Sequence, residues 1–204
     1  VGLAVGKEES SRRPDDQPQL DGSNTLPNAS FELDENADEQ PDAWRSGDWK
    51  TGSKVAWDRE VAHNGKASVR IECETGQQRG SFSLRPIVGP GPWIFEAWYR
   101  TERMQAEAKK GPVARLIAVD EDGTQCAVFH AYGEPTDGQW QRVALSFELP
   151  TGAKHINLDL FNFFAQGVVW WDDVSLRFDV AEVQRREEQR RAEAEHAKQA
   201  AAMI

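Results

Sequence analysis

Apolar residues recur at every second position along much of the middle of the chain. "ASVRIEC" sets Ala67, Val69, Ile71 and Cys73 to one side, and "SFSLRPI" sets Phe82 and Leu84. In "WIFEAWYR", Trp93, Phe95, Ala97 and Tyr99 share one face, and Ile94, Glu96, Trp98 and Arg100 share the other. "RVALSFEL" aligns Val143, Leu145, Phe147 and Leu149. "HINLDLFNFF" sets Ile156, Leu158 and Leu160 against His155, Asn157, Asp159, Phe161 and Phe163. A period of two is the signature of a strand with one buried face. In "VVWWDDVSLRF", strict alternation puts Trp170, Asp172, Val174, Leu176 and Phe178 on the core side, and Trp171 and Asp173 on the other. Turn-forming clusters separate the runs: "HNGK", "ETGQQRG", "VGPGP", "DEDG", "PTDGQ" and "PTGAK". "TERMQAEAKKG" alone has helical composition before residue 180, and between two strands it reads as a loop or a single turn. Short strands divided by such turns predict an all-β jelly-roll β-sandwich of two antiparallel sheets over residues 25–179.

The ends differ from this middle. Residues 1–24 hold "KEESSRRPDDQPQLDGSN", too polar to offset the entropy of ordering, and predict a disordered linker. The opening "VGLAVG" is small and apolar with no Met before it, which fits either the trimmed end of an export segment or a chosen boundary. Residues 180–204 lack Gly, Pro and aromatics and predict a charged, Ala-rich α-helix. That helix has no sustained seam of large apolar residues, so it reads as a solvated helix or linker. Its weak Ala stripe leaves docking on a protein partner as an alternative.

Charge narrows the function. With 34 acidic against 24 basic residues, the net charge is −10. Such a chain is a poor match to nucleic acid, where affinity comes from neutralising phosphates, and to anionic membrane surfaces. No run of 18 apolar residues is present to span a bilayer. The two cysteines, Cys73 and Cys126, form no CxxC pair, and they read as a disulfide or as two buried free thiols.

The order of short motifs is more specific than any one of them. "LPNASFEL" is followed by "PDAWRSG", "AHNGKASVRIE", "FEAWYRTE", "DGQWQRVALSFELPTGAKHINLDLF" and "VVWWDDVSL". This series resembles the carbohydrate-binding-module jelly rolls of the family 4, 16 and 22 type, within the galactose-binding-like sandwiches, across residues 27–178. The resemblance implies an extracytoplasmic setting and a structural calcium ion that ties the first strand to the last. Carried onto this chain, its ligands are Asn28, Glu32, the carbonyl of Lys66, and Asp172 or Asp173. Calcium takes six to eight oxygens, and an inward carboxylate needs such a partner, which favours Asp172 with Asp173 solvated beside it. The other reading is that Asp172 accepts hydrogen bonds from backbone amides at a strand end.

The resemblance also implies a glycan on the concave sheet, where flat aromatic faces lie among hydroxyl-binding groups. Alternation nominates Trp98 flanked by Glu96 and Arg100. It also nominates Phe161 and Phe163 with Asn157 and Asp159, and His130 with Tyr132 in "CAVFHAYGE". Trp44 and Trp140 read as structural, Trp49 as exposed, and Trp171 as an outward platform or a contact of the tail helix. No evenly spaced row of exposed aromatics is present. Catalysis has little support. Asp172 and Asp173 diverge on a strand, Glu96 and Asp159 could meet only as a pair that any acidic β-sandwich offers, and HExxH and GxSxG are absent. The expectation is a non-catalytic glycan-binding module. A structural or protein-interaction sandwich without a sugar site is the alternative.

Overall fold

The computed structural model describes residues 18–202. Ten strands form two antiparallel five-stranded sheets. The first sheet runs β2 (Lys54–Asp58), β3 (Ser68–Cys73), β10 (Gln166–Phe178), β5 (Gly91–Gln105), β8 (Gln141–Leu149) in spatial order. The second runs β1 (Arg45–Gly47), β4 (Arg79–Leu84), β9 (His155–Phe163), β6 (Gly111–Val119), β7 (Gln125–Tyr132). We call them sheets A and B. This is the predicted β-sandwich, closed by helix α1 (Val180–Ala202).

The core is the sum of the inward alternations. Val69, Ile71, Trp93, Phe95, Ala97, Leu149 and Leu176 from sheet A meet Phe82, Leu116, Ile156, Leu158 and Leu160 from sheet B, all essentially inaccessible to solvent. "TERMQAEAKKG" is largely strand: β5 runs on through Gln105, with Arg103 in a left-handed kink (φ 53°). Strand β6, "GPVARLIAV", shows no clear alternation, because Val113 and Ile117 are apolar on its outer face too.

One inward assignment changes. Trp171, not Trp170, faces the core: it is fully buried, lies tilted against Tyr99 at 5.6 Å and donates its indole N–H to the Phe161 carbonyl. Trp170 lies on the outer face and donates to Asp58 Oδ2 at 2.8 Å. The cause is a β-bulge. Asp172 pairs with Trp98 and Ser175 with Glu96, so three steps on β10 oppose two on β5. Asp173 absorbs the extra residue in a left-handed conformation (φ 45°). Beyond the bulge, Val174 and Leu176 face inward as expected, but before it the inward set is Val169 and Trp171. Asp172 therefore belongs to the outer side of sheet A, buried under a loop rather than in the core.

Asn24 bridges Arg177, and its side chain donates to the Val174 carbonyl and accepts from the Leu176 amide. Asn24, just before the expected boundary at 25, is thus tied to β10. The predicted disordered or export segment lies mostly outside the described residues. Helix α1 is capped by Asp179, which accepts from the Glu182 amide at 3.0 Å. Its first turns are tied down by Arg186 to Glu148 at 2.9 Å. Beyond them it is exposed. No helix among the described residues is long and apolar enough to cross a membrane. Both cysteines are free. Cys73 is buried, and burial pushes its thiol up to about 12, while Cys126 is exposed on β7 of the opposite sheet.

Candidate functional site

The outer face of sheet B assembles most of the nominated residues. Cross-strand register builds a lateral row from five strands: Arg45, Ser83, Asp159, Arg115 and His130. The next row runs Gly47, Ser81, Phe161, Val113 and Tyr132. Adjacent strands lie about 4.8 Å apart, so each row offers a side chain at a regular lateral step. Above them the loop after β1 carries Trp49, itself in a left-handed conformation (φ 52°). Its indole donates to Ser81 Oγ at 2.9 Å and its ring lies 5.9 Å from Phe161.

A depression follows these rows. One part is lined by Arg45, Trp49, Arg85, Arg115, Asn157 and Asp159. It shares Arg115 with a second part lined by Lys109, Phe161, Phe163, His130 and Tyr132. Aromatic surface runs through both. Phe163 meets Phe161 edge-on at 5.4 Å, and His130 stacks on Tyr132 at 5.5 Å. Trp49 and Tyr132 keep about two-fifths of their surface in solvent, so their rings are available to a ligand.

Polar order in the depression centres on Asp159. Arg115 donates to its Oδ2 from Nε at 3.1 Å and from Nη2 at 2.8 Å, and Ser83 donates to its Oδ1 at 2.7 Å. Arg115 also lies 5.0 Å from the Phe161 ring. Arg79 stacks over Trp49 at 4.5 Å. The His130 ring is held below its ordinary range, first by partial burial and then by the Arg115 charge.

Three nominated residues sit elsewhere. Glu96, Trp98 and Arg100 lie on the outer face of sheet A, on the opposite side of the molecule from His130, Tyr132, Asn157, Asp159, Phe161 and Phe163. The nine do not form one site. Glu96 and Asp159 accordingly cannot act as an acid pair, since the core separates them. The Trp98 ring is also covered: His63 stacks on it at 4.0 Å, and Trp140 meets His63 edge-on at 5.5 Å. Glu96 is held between Arg142 and Arg177 at 2.9 and 2.8 Å, and Arg100 pairs with Glu102. Trp44 is buried as expected, with its indole donating to the Asn28 carbonyl at 3.1 Å.

Of the residues nominated for calcium, Glu32, Asp172 and Asp173 meet residues 63–67, and their carboxylate oxygens face mostly N–H groups there. Asn28 is engaged with Leu33, Asp42 and Trp44. Asp172 Oδ2 accepts from the His63 amide at 2.7 Å and the Asn64 amide at 3.4 Å, and Oδ1 accepts from the Asp173 amide at 2.7 Å. Glu32 Oε1 accepts from the amides of Lys66 and Ala67 at 2.9 and 3.1 Å. Asp173 Oδ2 faces His63 Nδ1 at 2.6 Å and accepts from Asn64 Nδ2 at 2.7 Å. The Asn28 carbonyl accepts from Trp44 and from the Phe31 amide. Among the described residues no three acidic, His or Cys side chains converge as a metal-binding group. A shell of six to eight oxygen lone pairs does not fit this donor set, whereas amide capping of the loop does. Burial pushes the Asp172 carboxyl up to about 7, and the charge of Asp173 adds to this. The amides of His63, Asp173 and Asn64 pull the other way.

Several residues of the depression escape a reading by alternation. Arg115 sits in a strand whose outer face is otherwise apolar, and Arg45, Arg85 and Lys109 lie at strand ends or in turns. Trp49 was recognisable only as exposed. The register that brings Arg45 and His130 into one row spans five strands remote in sequence.

No family model matches the chain, and no curated protein matches it in sequence. Solved structures do share its fold. The enzymatically active domain of tailspike protein 4 from bacteriophage CBA120 aligns with a TM-score of 0.59 and 16% identity over 75% of this chain. The chain spans only 21% of that protein. A family 16 carbohydrate-binding module aligns at 0.52 and 16% identity, covering 75% of this chain and 99% of the module. The CBM22-1 xylan-binding domain of Paenibacillus barcinonensis Xyn10C aligns at 0.51 and 16% identity, covering 78% and 96%. The chain therefore has the fold of carbohydrate-binding-module jelly rolls.

Proposed function

We propose that this domain is a non-catalytic glycan-binding module whose ligand lies on the outer face of sheet B. The observation that carries the reading is the coincidence, on one sheet face and in two hollows that share Arg115, of Trp49 and Tyr132 with rings partly open to solvent and of Ser83, Asn157, Asp159 and Arg115 as hydroxyl-binding groups. Pyranose rings present C–H faces to aromatic planes and hydroxyls to such polar groups. The shared fold with modules of families 16 and 22 supports the class of ligand, and the absence of a facing carboxylate pair in the depression supports a binding role. An extracytoplasmic setting, where polysaccharides are met, belongs to the same reading.

Retention on an array of immobilised polysaccharides, compared between the wild type and Trp49→Ala, tests it. The wild type is expected to bind at least one glycan, and Trp49→Ala is expected to lose about tenfold or more in affinity without loss of fold, as for a buried aromatic anchor. Silence of the wild type on every glycan would sink the reading. The alternative, a spacer or protein-contact sandwich, rests on the covered outer face of sheet A and would then take its place.

A further inference from the structure

We infer that the glycan taken by the face of sheet B is anionic, carrying carboxylates or sulfates. The inference rests on the glycan-binding reading and adds the charge of the ligand. Four cations line the depression, Arg45, Arg85, Lys109 and Arg115, against one acid, Asp159. Asp159 is already engaged by Arg115 and Ser83. A fifth cation, Arg79, stacks on the edge tryptophan, and its Nε is buried without a partner. Among the described residues, Arg45, Arg79, Arg85 and Lys109 form no ion pair.

This balance runs against that of the chain as a whole, where acids exceed bases by 34 to 24. A cationic depression on an acidic body is a local field that attracts a polyanion to that face. Arginine supplies planar forks that match carboxylate and sulfate oxygens, and such charge-assisted hydrogen bonds are roughly twice as strong as neutral ones. Neutral xylans or glucans would leave these guanidinium groups facing hydroxyls alone.

Titration calorimetry with polymers matched in backbone and differing in charge decides the matter. Polygalacturonate is compared with its fully methyl-esterified form, and dextran sulfate with dextran. One charged polymer is expected to bind at least about tenfold more tightly than its neutral match, the scale of one or two charged hydrogen bonds. Which arm responds separates carboxylate from sulfate recognition. Arg85→Gln and Arg45→Gln each should weaken that binding about fivefold to tenfold, while Arg190→Gln in the exposed part of α1 should leave it unchanged. If the helix variant weakens binding as much as Arg85→Gln does, the attraction is generic and the inference falls. Equal binding of charged and neutral polymers, or binding of neutral glycans alone, overturns the inference and leaves the glycan-binding reading intact. No binding to any polymer or array glycan overturns both.

Discussion

The two outer faces of this sandwich use similar residues to opposite ends. On sheet A, arginines are matched by acids: Arg70 with Glu72, Arg100 with Glu102, and Arg142 and Arg177 with Glu96. Its tryptophans are spent as well, Trp98 under His63, and Trp170 against Arg70 and Arg100. On sheet B, Trp49 keeps about two-fifths of its surface in solvent even with Arg79 over its ring, whereas Trp170 on sheet A is buried. Most of the cations lining the depression have no acid beside them. Matched charges and stacked rings close a surface, and unmatched ones leave it free for a partner. An aromatic flanked by charged residues is therefore not by itself a site, because its neighbours may have been recruited to cover it.

Four measurements would break or sharpen that contrast. Arg115→Ala should cost the most, about 3–5 kcal/mol in chemical denaturation, because it strands the nearly buried Asp159 carboxylate. Arg142→Ala, which breaks an exposed pair on sheet A, should cost under about 1 kcal/mol. Similar losses for the two would erase the distinction.

The second concerns Asp172. Its folded pKa, raised to about 7 from 3.8, means that the native state holds a proton the unfolded chain has released across that window. Stability from this group is present at about pH 4 and lost as pH rises through about 7, by up to about 4 kcal/mol. Asp172→Asn should flatten the dependence of the melting temperature on pH between those limits. An unchanged slope would show that the amides of His63, Asn64 and Asp173 outweigh burial.

Third, glycan retention should fall by about 2 kcal/mol for Trp49→Ala and stay within about 0.5 kcal/mol for Trp98→Ala. The reverse result would move the binding face to sheet A. The smallest effect is expected for calcium. If amides cap Glu32 and Asp172, chelator and added calcium should move the melting temperature by less than about 1 °C, and a shift of about 5 °C would restore a metal clamp.

How far these residues could be read from sequence depends on strand order. The inward faces of β3, β5, β8 and β9 were legible, because burial of one face imposes a period of two. So was the grouping of Asn157, Asp159, Phe161 and Phe163, which share one strand. Trp170 and Trp171 were exchanged because a bulge depends on one residue, Asp173, entering the left-handed region, and alternation carries no mark of it. Trp98 was joined to the wrong set because alternation separates inside from outside but does not say which outside. That information lies in the order of strands, set by contacts between residues far apart in sequence. The resemblance placed Glu32 and Lys66 at one site, and the contact between them is a pair of hydrogen bonds from the Lys66 and Ala67 amides to Glu32 Oε1.

The position of β10 has a kinetic consequence. It is the last strand of the chain and the middle strand of sheet A, between β3 and β5. Its partner at the start, Asn24, is 150 residues away from Val174. Until residues 166–178 are available, sheet A is two separate ribbons with bare edges facing each other. A domain emerging from a ribosome at roughly 5–20 residues per second would hold those edges open until residues 166–178 have emerged. Closing so long a loop is also slow. The late strand makes folding a single concluding event, and it places the interval of greatest aggregation risk just before that event.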